Sequence, residues 1–325
     1  MIALVDVRPS PLVRSFRVSH MTTVTVDIVT LTLTTPDGEI AGLGEISADP
    51  GYDQDGASIA AEATALAQSL AEDPRIDDPA HLESRLDGAA DVSACALMLV
   101  EMAFLDRAAR VRGLPVWKLL GLPEPGVVRL VTTVPIGDPM PARGPLKIKL
   151  GGEDDREVLR RLVGVPGPVI LDVNRGWDRA AWDSVRDLVA QVAPAVLEDP
   201  VGDRALLGEV RDALPGTSVV LDEGIGSLAD VVRATEVANG ANIKVMKLGG
   251  LFRAKKALDH LTEHGAVRMI GCYLEPPRAI AYAAQLNGQA DWTDLDGHFW
   301  ISPEHPSVSE YRLDSSAPGI PVIAS

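Results

Sequence analysis

Between Lys147 and Asp296 the chain alternates short apolar runs with amphipathic stretches, and each apolar run ends in charged side chains. The run ends read LKIKL (Lys147, Lys149), VILDVN (Asp172, Asn174), AVLEDP (Glu198), VVLDEG (Asp222, Glu223), NIKVMKLGG (Lys244, Lys247) and WTDLDG (Asp294, Asp296). From Lys149 to Asp172, Glu198, Asp222 and Lys244 the steps are roughly 22 to 26 residues, the length of one strand plus one helix with short loops. That pitch predicts a parallel sheet. A long run of such units predicts closure into a (β/α) barrel, whose catalytic groups sit at the C-terminal strand ends.

The pattern ahead of this region is different. TVTVDIVTLTLTTPDGEIAGLGE alternates polar and apolar residues across a Pro-Asp-Gly turn and predicts an antiparallel hairpin. SIAAEATALAQSLAED and VSACALMLVEMAFLDRAARVRG predict two helices, the second stopping at Gly113. Strands followed by helices define a separate α+β domain over residues 1–115, leaving 116–297 for the barrel and 298–325 as a tail rich in Pro and Ser. One barrel unit breaks the pitch. The first strand is placed at RLVTTVPIG, Arg129 to Gly137, and only DPMPARGP separates it from LKIKL. That linker is too short and too proline-rich for a helix, so the first barrel helix is expected to be missing.

The length of 325 residues accommodates a barrel and a smaller domain, and 46% hydrophobic residues supply the core. A formal charge of −16 argues against nucleic acid and against anionic membranes, both of which need a basic surface. No run of about 18 apolar residues occurs, and the N-terminus lacks the pattern of a secretory signal, so a cytoplasmic enzyme acting on a small molecule is expected. Cys95 and Cys272 are too few for a disulfide framework or a zinc set and read as small buried hydrophobes. A homo-oligomer is compatible with all of this.

Asp172, Glu198 and Asp222 come from successive strand ends and point toward one axis, where three carboxylates repel unless a cation lies among them. Oxygen-only ligation with room for water and substrate suits Mg²⁺. A single strand-end carboxylate caps the next helix as readily as it binds a metal; the metal reading rests on the three together with the lysines. Lys147 and Lys149 share one strand face, with Lys244 expected about opposite. Two adjacent ammonium groups disfavour each other's charge, so one amine is expected to accept protons, with Lys149 as the base and Lys147 its electrostatic neighbour.

Lys-x-Lys, Asp-x-Asn, Glu-Asp-Pro, Asp-Glu and Ile-Lys-x-x-Lys-x-Gly-Gly on successive strands resemble the enolase superfamily in its muconate-lactonizing subgroup. TPDGEIAGLGE, EMAFLDRAARVRGLPVWKLLG and LKIKLGGEDD match it as well, so the resemblance runs from about Phe16 to Trp300. It implies a modified (β/α)7β TIM-like barrel under an α+β capping domain completed by the C-terminal tail, with cap loops near 17–24 and 48–56 over the mouth. Asp294-Leu295-Asp296 resembles the Asp-x-Asp with which dipeptide epimerases grip a substrate α-ammonium group; an Asx-type turn closing the barrel is the alternative.

The implied activity is a Mg²⁺-dependent 1,1-proton transfer through an enediolate, with Lys149 and Lys244 acting on opposite faces. The superfamily's use of a Lys or His base with Mg²⁺ is a general pattern. An o-succinylbenzoate synthase or N-acylamino acid racemase is the alternative enzyme, and a non-catalytic ligand-binding barrel the reading from another class. Met21, Arg17, Tyr52 and Arg278 are the candidates for contacting substrate side chains, and their pattern leaves the dipeptide open.

Overall fold

The computed structural model describes residues 1–301, 310–314 and 317–320. The chain opens with a three-stranded antiparallel sheet in the order β1 (Ile2–Arg17), β2 (Thr22–Thr34), β3 (Ile40–Ala48). β2 and β3 are the expected hairpin. β1 carries Pro9 and Pro11, which cannot donate to a ladder, and it is accordingly an edge strand whose register with β2 slips between Pro11 and Phe16.

Three helices follow, α1 (Gly56–Ala71), α2 (Pro79–Asp87) and α3 (Ala94–Arg112). α3 is buried without interruption from Ala96 to Asp106, because it lies between β3 and the barrel. Its approach to β3 needs glycine there: a Cβ on Gly42 would stand 2.3 Å from the Ala103 carbonyl oxygen. The helix ends where Gly113 takes up a left-handed conformation.

After α4 (Val116–Leu119) and β4 (Val127–Arg129) come eight parallel strands: β5 (Thr132–Val134), β6 (Leu146–Lys149), β7 (Val169–Asp172), β8 (Val196–Glu198), β9 (Ser218–Leu221), β10 (Gly240–Lys244), β11 (Val267–Gly271) and β12 (Trp292–Asp294). Each pairs with the next, in chain order. The end strands meet through side chains, where Thr133 of β5 bonds Asp296 beyond β12.

The helices on this sheet are α5 (Asp155–Leu162), α6 (Arg179–Val192), α7 (Arg204–Ala213), α8 (Leu228–Val237), the single turn α9 (Val245–Leu248), α10 (Leu251–Glu263) and α11 (Pro277–Ala283). No helix stands between β5 and β6, as the proline-rich linker predicts. Among the described residues no helix is long and apolar enough to cross a membrane.

The tail divides its contacts. Trp300 packs edge-on against Phe16 of the cap at 4.8 Å between centroids, whereas β13 (Glu310–Arg312) pairs antiparallel with β4. The Ile320 amide donates to Asp106 of α3. Residues 302–309, 315–316 and 321–325 of the expected cap-completing tail lie outside the described residues. One apolar cluster joins the cap, from Val29 and Leu31 through Phe104, to Ile243, Leu258 and Ile280 of the barrel; a second fills the layer around β6 to β9.

Candidate active site

Strand register decides which side chains meet. The ladder sets Lys149 beside Asp172 and Asp172 beside Glu198, so three adjacent strands end at one level. On the other side Lys244 lies beside Gly271, and Gly271 beside Asp294. β6 and β10 are four places apart in an eight-stranded sheet, so Lys149 and Lys244 face each other across the barrel. Asp222 follows β9, and all these charged groups are buried.

The charges interlock. Lys147 Nζ lies 2.9 Å from Asp172 Oδ2, 2.9 Å from Glu198 Oε2 and 2.6 Å from Asp294 Oδ2. Lys149 Nζ contacts Asp172 Oδ2 at 2.5 Å, and Lys244 Nζ contacts Asp222 Oδ2 at 2.8 Å. Lys247 sits in the α9 turn after β10 and bonds both the Asp222 carboxylate (2.7 Å) and its carbonyl (2.9 Å).

The sequence led us to expect a lysine amine lowered by its lysine neighbour. That expectation concerned Lys149; its neighbour Lys147 and the opposite Lys244 are governed by their carboxylates. Burial pushes Lys147 down, but the pull of Asp172, Asp294 and Glu198 outweighs it and holds the amine well above the ordinary lysine range. Lys244 is likewise held high, chiefly by Asp222 against burial. Asp222 is held well below the usual carboxylate range, its lysines overcoming burial, while burial and the Asp172 charge push Glu198 up.

Asp172, Glu198 and Asp222 offer oxygen donors of the kind that suits Mg²⁺, and in this structure they pair with the ammonium groups of Lys147, Lys149 and Lys244. Glu198 Oε2 is buried without a hydrogen bond, although Lys147 Nζ stands 2.9 Å away as an ion pair. A divalent cation suits such an under-satisfied carboxylate cluster, so these residues fit the ion.

Asp294 and Asp296 face the same cavity as Lys147, Lys149 and Lys244. Thr133 donates to Asp296 through its amide (2.8 Å) and hydroxyl (3.1 Å). Burial, then the Asp294 charge, pushes the Asp296 carboxyl up to about 7. The remaining wall is Phe16, Met21, Tyr52, Tyr273, Leu274 and Trp300, with Asp49 at the cap side. Asp49 is taken up by the Thr23 hydroxyl and the Gly51 amide. Met21 and Tyr52 thus line the cavity that the lysines face.

Arg278 does not. It lies on α11 turned toward Asp106 and Glu45 of the cap, away from the cavity, because its place in the chain after β11 left its direction open. Arg17 lines a neighbouring groove beside Ile136 and Gly152 rather than this cavity.

Several functional side chains escaped the sequence reading. Asn242 donates to Glu198 Oε1 at 2.8 Å; its spacing of two from Lys244 on one strand was the available signal. Asp199 accepts from the amides of Asp222 and Glu223 and so fixes the end of β9. Asn174, which the sequence had already set beside Asp172, donates to Glu223 at 2.9 Å and stands 3.4 Å from Lys149. Tyr273 places its ring 4.7 Å from Lys244 Nζ and 4.7 Å from the ring of Tyr52, linking barrel and cap over the mouth.

Comparison with known proteins accords with this geometry. The family profile "Enolase C-terminal domain-like" matches residues 144–315, and "Mandelate racemase / muconate lactonizing enzyme, N-terminal domain" matches residues 1–121. The hydrophobic dipeptide epimerase of Citrifermentans bemidjiense is 30% identical across 98% of this chain and 96% of its own length. The crystal structure of a dipeptide epimerase from Enterococcus faecalis V583, complexed with Mg and the dipeptide L-Leu-L-Tyr, superposes with a TM-score of 0.85 at 22% identity, covering 99% of each chain. The muconate lactonizing enzyme from Pseudomonas fluorescens superposes equally well, with a TM-score of 0.85 at 21% identity over 98% of this chain and 95% of that one. The fold alone therefore does not choose between epimerase and lyase.

Proposed function

The chain belongs to the mandelate racemase / muconate lactonizing enzyme family, and from that premise we propose that it is a Mg²⁺-dependent epimerase of hydrophobic dipeptides. The observation that carries the reading is a single cavity lined by Lys149, Lys244, Asp294 and Asp296. Two lysines face each other across the space where an α-carbon would lie, and two carboxylates stand at one end to hold an α-ammonium group. Asp294 already holds one ammonium, that of Lys147. Among the described residues no ion pair reaches Asp296, and a substrate amine would supply one.

Mg²⁺ held by Asp172, Glu198 and Asp222 would supply positive charge at the substrate carboxylate, which acidifies the adjacent α-hydrogen. The chain's own residues do the rest. Lys149 Nζ takes the α-proton from one face, and Lys244 returns a proton from the other. For the opposite epimer the roles exchange. Asp294 and Asp296 orient the amine so that only the α-carbon lies between the lysines. Phe16, Met21, Tyr52, Tyr273, Leu274 and Trp300 offer apolar contact to the side chains, which supports hydrophobic residues over glutamate.

Incubation with pooled L,L-dipeptides in D2O, read by mass spectrometry, should show α-deuteration and new diastereomers of hydrophobic pairs. Mg²⁺ should also raise the melting temperature, by about 2.7 kcal/mol of stability at a hundredfold excess over Kd. Glu198→Gln should lose most of that rise. Activity that survives EDTA and ignores added Mg²⁺ sinks the metal assignment. An N-acyl or succinyl compound turned over faster than any free dipeptide moves the chain to the racemase or lyase activity.

A further inference from the structure

Glu101 lies in the middle of α3, in the cap, yet its carboxylate serves the barrel. It is 2% exposed and accepts three hydrogen bonds on Oε1: from the Leu251 amide, from the Phe252 amide at 3.4 Å, and from the Tyr282 hydroxyl at 2.6 Å. Leu251 and Phe252 open α10, a thirteen-residue helix whose own N-cap, Gly250, has no side chain to satisfy those donors. Gly250 sits at φ +132°, and a Cβ there would lie 2.3 Å from Glu101 Cδ, so the backbone is drawn hard against the carboxylate.

Between this anchor and Lys244 lies only the α9 turn. The amides of Gly249 and Gly250 both donate to the Val245 carbonyl, at 3.0 and 3.1 Å, so the segment from Lys244 to Leu251 is one hydrogen-bonded loop. A single helical turn has little stability of its own and must be held at both ends. β10 holds one end and Glu101 the other. Lys247, inside the loop, carries the contact to Asp222. A buried carboxylate is an expensive way to join two apolar surfaces, since burial pushes this one up to about 7 even against the hydrogen bonds from Tyr282, Leu251 and Phe252. What it provides beyond adhesion is a fixed direction for the loop.

We propose that Glu101 is a positioning residue that acts from the capping domain to aim Lys244 at the reacting carbon. The proposal rests on the reading of Lys244 as one of two opposed proton-transfer groups. Lys149 is carried by β6, which Glu101 does not touch, so a fault at Glu101 should reach one face of the substrate and spare the other.

The test follows initial α-deuterium exchange in D2O from each epimer of one dipeptide separately. Lys149→Ala and Lys244→Ala assign each half-reaction to its lysine. Glu101→Leu should slow the Lys244 half-reaction by about ten- to a hundredfold, the scale of a misplaced catalytic group, and leave the Lys149 half-reaction little changed. Glu101→Gln, which keeps an acceptor oxygen for the same donors, should restore most of the loss. If Glu101→Leu does not fold, Glu101→Ala, which admits water to the freed amides, takes its place with the same expectation.

A folded variant in which both half-reactions fall together, or neither falls, overturns the proposal. Amide hydrogen exchange over residues 245–252 needs no substrate and decides the matter if no dipeptide is turned over by the wild type. Faster exchange there in Glu101→Leu, with β2 and β3 unchanged, supports the anchor, and unchanged exchange overturns it.

Discussion

Lys149 and Lys244 come from strands four places apart, and each meets a different carboxylate, Asp172 or Asp222. In the proposed reaction, removing one lysine should abolish epimerisation while leaving the other to exchange the α-proton of one epimer with solvent. Deuterium uptake in Lys149→Ala and Lys244→Ala checks this, and near wild-type epimerisation in both mutants rules out two opposed bases. Asp296 supports a second expectation. With its carboxyl raised to about 7, it loses its charge as the pH falls below that value, and with it the attraction for a substrate ammonium. The efficiency for free dipeptides should fall below about pH 7 more steeply in the wild type than in Asp296→Asn. N-acetylation removes the same charge from the substrate side, costing roughly 2 to 5 kcal/mol for a buried pair left unmatched. That is roughly one and a half to three and a half decades in kcat/KM. An acetylated dipeptide turned over as well as the free one denies Asp294 and Asp296 their role.

Among the elements, the barrel strands were legible because their charged ends point inward and recur at the strand-plus-helix pitch, a pattern that a solvent-facing sheet does not produce. β1 was missed because Pro9 and Pro11 interrupt the alternation, although an edge strand tolerates them. α2 was missed because only Leu82 and Leu86 of its nine residues are buried, too few to show a helical period. Glu101 looks in sequence like any helical glutamate, and only the packing of α3 against α10 reveals its partners. α2 owes part of its stability to Asp73, in the turn ahead of it, which accepts from His81 at 2.7 Å and from the Arg75 amide at 3.0 Å, with Arg85 also in contact. The His81 bond, then the Arg75 amide, lowers the Asp73 carboxyl to about 2. The unfolded carboxyl titrates near about 3.9, so the folded value is the depressed one. The stabilisation is present above the unfolded value and is lost as the pH falls toward the folded one. Asp73→Asn should therefore melt lower than the wild type at pH 7, with the gap closing as the pH drops from about 4 to about 2. Melting curves at pH 7, 4 and 2.5 check it; a gap of constant size assigns the effect to something other than the carboxylate charge.

At the scale of the whole molecule, cap and barrel are separate in the chain but continuous in the core. One apolar cluster runs from Leu31 and Ile46 of the cap sheet through Met98 and Phe104 of α3 to Ile243, Leu258 and Ile280 of the barrel. Glu101 and Asp106 add polar ties from the same helix, to α10 and to Ile320 of the tail. The cavity beneath the cap is about 40 Å³ and is lined from the cap side by Phe16, Met21 and Tyr52. In the proposed reaction a dipeptide would lie under the cap loops that carry Met21 and Tyr52, over a core that joins the two parts. Chains of this size commonly unfold in steps, domain by domain. The shared core predicts the opposite, that the cap cannot unfold while the barrel remains folded, because α3 would leave buried apolar surface and the α10 amides unsatisfied. Four tryptophans provide the probe once Trp300, which packs on Phe16 of the cap, is replaced by Phe: Trp117, Trp177, Trp182 and Trp292 lie outside the first 115 residues, so their fluorescence follows the barrel, whereas far-UV circular dichroism follows both parts. In urea the two signals should trace one transition with a common midpoint. A dichroism change that precedes the fluorescence change would mean that the cap unfolds by itself, and that the apolar cluster between the two parts is a contact and not a core.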